Sequence, residues 1–142
     1  MEKIFTTKLT FLALCSTIAG WISSIYGGWG HTMTTLLIVM AIDYITGMLV
    51  ACIWKKSNKS PSGALQSSAG WKGICRKVIT LFMVLISARI DMILETDIIR
   101  NAVTIAYIIN EIISICENAT AMGVPIPPIL QNSIDSLQRK NK

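Results

Sequence analysis

The sequence predicts an all-α membrane protein with about four transmembrane helices, three if the first segment does not span, followed by a short C-terminal amphipathic helix. Three observations predict it. The 142 residues are 52% hydrophobic and only 15% charged, where soluble domains carry roughly 25% charged residues. Leu9 to Ile42 is a 34-residue run with no formal charge except the potential one on His31. With charges scattered evenly, such a run arises about 0.4% of the time. Finally, four apolar stretches each approach the roughly 20 residues that a helix needs to cross about 30 Å of hydrocarbon.

The same composition excludes other classes. Disorder needs low hydrophobicity, and four cysteines are too few for a disulfide scaffold of this length. A net charge of +5 does not point to nucleic acid, because the basic residues flank apolar runs instead of forming one face of a soluble fold. Membrane lipid is the expected partner.

The chain reads as a single membrane domain, 1–142. Its first span covers about residues 4–26, with Lys8 near enough to the start to snorkel. That segment also has the basic start of a cleaved signal peptide, although no small-x-small cleavage site follows it. The second span, 33–54, carries one acid, Asp43, near its middle. The third, 75–94, is entered through Arg76 and Lys77 and carries Arg89 and Asp91 near its exit. The fourth, 98–116, holds Asn110 and Glu111. Between the second and third lies a serine-rich loop, 55–74, with Pro61, Gly63 and Gly70. In the tail, 117–142, the stretch Gly123-Val124-Pro125-Ile126-Pro127-Pro128 stops the fourth helix. Leu130, Ile134 and Leu137 then recur at the spacing of a surface-lying amphipathic helix.

Orientation follows from the lysines and arginines. Lys55, Lys56, Lys59, Lys72, Arg76 and Lys77 occur with no acid among them, so this basic loop is expected in the cytoplasm. Four spans then place both termini inside as well, with 11 of the 13 basic residues on the cytoplasmic side. Trp21, Tyr26 and Trp29 mark the outer interface, and Trp54 and Trp71 the inner one.

No catalytic, cofactor or metal constellation stands out, and an enzyme is not expected. His31 reads as a solvated loop residue. Cys15, Cys52, Cys75 and Cys116 show no paired spacing and read as reduced packing residues. The informative features are polarity and size within the spans. Ser16, Gly20, Ser24 and Gly28 repeat every four residues, and Gly47 and Ala51 extend a similar face one turn beyond Asp43. Small faces let helices approach closely, either within one chain or between copies in a homo-oligomer. Asp43 costs about 2.5–3.5 kcal/mol at a bilayer centre, so it must face protein or water. It either joins two helices, with Arg89 as a candidate partner, or forms a polar contact that controls assembly.

Arg100, Thr104, Tyr107, Glu111, Ser114 and Asn118 are spaced by threes and fours, which draws one polar stripe along the fourth helix. In a single chain the stripe faces the bundle interior. In an oligomer it becomes a candidate pore lining.

With these residues in view, the chain resembles the phage holins of the toxin-secretion and phage-lysis group, which includes the holin-like protein of clostridial toxin loci. The resemblance rests on Asp43-Tyr44-Ile45-Thr46-Gly47, the serine-rich basic loop, and Gly70, Gly73, Arg76 and Lys77 before the next span. It continues through Asn110-Glu111-Ile112-Ile113-Ser114-Ile115-Cys116-Glu117-Asn118 and Gly123-Val124-Pro125-Ile126-Pro127, covering residues 35–138. The family implies a cytoplasmic-membrane protein that accumulates, oligomerises and opens lesions, through which a cell-wall hydrolase or a toxin leaves the cell. The competing expectation is a small four-helix, proton-coupled transporter using Asp43 or Glu111. A third, a purely structural subunit, leaves the stripe without a purpose.

Overall fold

A computed structural model describes residues 2–55 and 66–140, and among these every regular element is helical. Helix α1 spans Glu2–Ile25 and α2 spans His31–Leu49, continued by a π-helical turn, Val50–Trp54. Helix α3 is Ser67–Leu94, α4 is Ile98–Ala121 and α5 is Pro128–Lys140. Three stretches are long and apolar enough to cross a membrane: Lys3–Ile25, His31–Trp54 and Ile98–Ala121. Helix α3 is not among them. Lys72, Arg76 and Lys77 at one end and Arg89 and Asp91 at the other leave it an uncharged stretch only from Val78 to Ala88.

Two boundaries differ from the sequence reading. Helix α3 begins eight residues before the expected start at Cys75, so Lys72 is helical and the 55–74 loop is shorter than expected. Gly70 and Gly73, which look like breakers in sequence, lie against the Tyr44 ring of α2. A Cβ on either would sit 3.8–4.0 Å from it, so the glycines allow close approach instead of a turn. Helix α4 likewise runs past Cys116 to Ala121. There Gly123, at φ +82°, takes the left-handed position, and Val124 N–H donates to the Ala119 carbonyl at 3.0 Å. Pro128 opens α5, where a missing backbone N–H costs nothing.

Helices α2, α3 and α4 form a bundle with α4 at its centre, packed along both neighbours, while α2 and α3 meet directly only over a short stretch. The start of α4 lies beside the start of α2, since Arg100 reaches the Gly27 carbonyl, and Asn118 lies beside Asp43. These two helices therefore run in the same direction. Helix α3 packs along α4 in the opposite sense, joined to it by the three-residue turn 95–97. The apolar core is built from Met33, Leu36 and Met40 of α2 and Val84 of α3, with Tyr107 and Ile108 of α4 against it. Ser87 and Ala88, buried one turn beyond Val84, keep the inner face of α3 thin enough to seat closely.

Helix α1 stands apart. Residues 3–22 are all exposed, and a Cβ on Gly20 would meet nothing within 4 Å. The small face of Ser16, Gly20 and Ser24 is thus exposed, with nothing packed on Gly20. The face of Asp43, Gly47 and Ala51 behaves differently. Asp43 and Ala51 are buried and Gly47 is half-buried, so α2 uses its small residues within its own bundle.

Candidate functional site

Near the middle of the bundle, three helices each contribute a charged side chain to one cluster. Asp43 of α2 is 6% exposed. The Lys77 ammonium of α3 donates to its Oδ2 at 2.9 Å and also to the Glu111 carboxylate of α4. Asn118, two turns beyond Glu111, donates from Nδ2 to Asp43 Oδ1 at 3.2 Å and to Thr46 Oγ1 at 3.0 Å. Thr46 in turn donates to the Ile42 carbonyl at 2.9 Å. Asp43 and Asn118 thereby clamp α2 to α4, and Lys77 ties α3 to both.

Each lone charge would cost several kcal/mol in hydrocarbon, and mutual pairing offsets most of that penalty. One ammonium meets two carboxylates, so the cluster holds an excess of negative charge in its fully ionised form. The arrangement explains how a helix as charged as α3 seats against two apolar neighbours.

A second polar group sits at the opposite end of α3. Asp91, 4% exposed, accepts from Thr96 Oγ1 at 2.6 Å and from the backbone N–H groups of Ile99 and Arg100 at 3.1 and 2.7 Å. It caps the first turn of α4 from a neighbouring helix, where carboxylates are favoured by free N–H groups and the helix dipole. Arg100 then donates through Nη1 to the Tyr26 and Gly27 carbonyls at 2.9 and 2.8 Å, and Tyr26 Oη donates to the Leu81 carbonyl at 3.2 Å. The turn between α1 and α2 is held to the bundle by these bonds.

The predicted stripe of α4 is brought onto one inward face. Arg100 serves the turn, and Thr104 is 2% exposed with its hydroxyl on the Arg100 carbonyl. Tyr107 borders the apolar core, Glu111 and Asn118 belong to the ionic cluster, and Ser114 is half-buried. In the single chain this stripe faces protein. Arg89 is not the partner of Asp43: it is exposed and donates to the Met92 sulfur. Twelve residues, about 18 Å along the helix, separate it from Lys77, which occupies that role.

Of the basic loop, Lys55, Lys72 and Arg76 are exposed, whereas Lys77 points inward. Lys56 and Lys59 lie outside the described residues. Sequence reasoning placed Lys77 with its basic neighbours and so missed its role. The available signal was its register, because Lys77, Val84, Ser87, Ala88 and Asp91 fall on one face of α3. The four cysteines are unpaired. Among the described residues, no group of three or more His, Cys, Asp or Glu side chains is arranged to hold a metal ion.

A helical bundle with exposed apolar surfaces and charges paired at its centre defines a membrane protein. The family model for the bacteriophage holin family matches residues 20–139, and the chain belongs to that family. An uncharacterized protein of Clostridium perfringens (strain 13 / Type A) is 33% identical over 99% of this chain and 98% of its own length. An uncharacterized protein of Halalkalibacterium halodurans is 38% identical over 85% and 88%. A protein of Bacillus phage phi105 described as a probable holin is 31% identical over 75% of this chain and 73% of its own. No solved structure matches.

Proposed function

We propose that this protein is a holin that accumulates in the bacterial cytoplasmic membrane, oligomerises and opens lesions through which a cell-wall hydrolase or an exported toxin leaves. Membership of the holin family carries the reading. The bundle supports it with a polar stripe that packs against protein in one chain and could line water between several. The role needs no catalytic residue and no cofactor. In this reading four helices span, both termini and the basic loop are cytoplasmic, and α5 lies on the inner leaflet.

Controlled expression in bacteria tests it, with growth, membrane potential and release of a co-expressed cytosolic hydrolase followed together. The expected course is normal growth, then abrupt depolarisation and lysis with release of the folded enzyme. Continued growth with full membrane potential at high expression overturns the reading. A proton-coupled carrier is the second reading, favoured by the placement of Asp43 and Glu111 near the middle of their helices. It moves small solutes without killing the cell.

A further inference from the structure

The stripe on α4 is covered on one side by α2 and on the other by α3, and a water-filled lesion requires that one cover be withdrawn. Helix α2 is the poorer candidate. It packs along much of α4 and is clamped by Asn118 onto Asp43 and Thr46. Helix α3 is held differently. At one end Asp91 staples it to the first turn of α4 across the 95–97 turn. Toward the other end, the Lys77 ammonium ties it to both neighbours. Direct packing between α3 and α2 is short. Helix α3 is therefore a strut, hinged at Asp91 and tied across its middle by the Lys77 ammonium and by the Tyr26 hydroxyl on the Leu81 carbonyl.

We propose that Lys77 is the latch of the closed bundle. Its bridge from Asp43 to Glu111 keeps α3 over the polar stripe, and loss of the bridge lets α3 swing about the 95–97 turn and wet the stripe. This rests on the lesion-forming function and adds the element that moves. The chemistry suits a latch. A buried ion pair gains little over its separately hydrated partners, because desolvation cancels much of the attraction. Two carboxylates against one ammonium tilt the balance further, since water hydrates the surplus charge once α3 has left.

The test is the amount of protein in the membrane at the moment of depolarisation, measured by quantitative immunoblot alongside a potential-sensitive dye. Lys77→Met keeps the stem and removes the charge, and it is expected to trigger at an accumulation at least about twofold below that of the unaltered chain. Adding Glu111→Gln removes one of the two carboxylates left facing each other and should move the threshold back toward the original. A role confined to packing of the lysine stem gives no such rescue. A threshold for Lys77→Met equal to or above the original overturns the latch, as does a double variant as early as the single one.

If Lys77→Met does not reach the membrane, the pair Asp43→Asn and Glu111→Gln undoes the bridge from the other side and must also trigger early. Failure of both to insert assigns the cluster to folding alone and overturns the proposal. An unaltered chain that neither depolarises nor lyses cells sinks the holin reading itself, an outcome distinct from a latch that fails in a lytic protein.

Discussion

Lys77 Nζ lies 2.9 Å from Asp43 Oδ2, joining two helices whose charged residues are 34 positions apart in sequence. The same ammonium meets Glu111 on a third helix, so one cation touches all three helices of the bundle.

Glu111 separates the two functional readings. In a lesion-forming protein, Glu111→Gln still lyses cells because an amide hydrates, whereas Glu111→Leu delays or abolishes lysis by favouring a dry, packed interior. In a proton-coupled carrier, Glu111→Gln stops transport, because an amide cannot exchange the proton. Lysis timing and solute uptake in the two variants decide between them.

Orientation is checked by thiol labelling of intact cells in a chain whose four native cysteines are replaced. Cysteines at Ser57 and Ser136 are expected to stay unlabelled by an impermeant reagent, and one at Gly30, in the turn before α2, is expected to react. Labelling at Ser57 from outside reverses the topology.

Gly20→Leu isolates contacts between chains. Nothing lies within 4 Å of a Cβ at that position, so the change leaves the bundle intact. If the α1 face of Ser16, Gly20 and Ser24 joins copies, crosslinked oligomers fall while thermal unfolding of the solubilised protein is unchanged. Undiminished crosslinking removes that face from the assembly. Gly47→Leu is expected to act differently, loosening the bundle itself, because Gly47 sits half-buried between Asp43 and Ala51 on the packed side of α2.

Asp91→Ala removes the acceptor for two backbone N–H groups at the start of α4. The expected cost is about 1–2 kcal/mol. Hydrogen exchange reports it directly: the Ile99 and Arg100 amides should exchange faster, while amides around Leu36 and Val84 change little. Equal acceleration at both places would mean that the cap is not a local feature.

The helices were legible because charge-free runs and proline or glycine punctuation are local properties. The 34-residue run announced α1 and α2, and Gly123 ended α4 by a backbone geometry that glycine supplies. The stripe on α4 was legible for the same reason, since three-and-four spacing fixes a face. Partners were not. Asp43 pairs with Lys77 instead of Arg89 because the turn at 95–97 sends α3 antiparallel to α2 and α4, which brings Lys77, and not Arg89, level with Asp43. Gly70 and Gly73 read as loop in isolation and become helical against Tyr44.

The parallel course of α2 and α4 also gives the bundle an electrical polarity. Each helix carries roughly half a negative elementary charge at its C-terminus and half a positive one at its N-terminus. Two C-terminal ends and one N-terminal end therefore gather on the side of Lys55, Lys72 and Arg76, leaving a net negative partial charge that these exposed cations offset. The opposite side, at the 95–97 turn, collects the surplus of positive ends, which the carboxylate of Asp91 meets at the start of α4. The three helices thus form an oriented dipole with counter-charges at both poles.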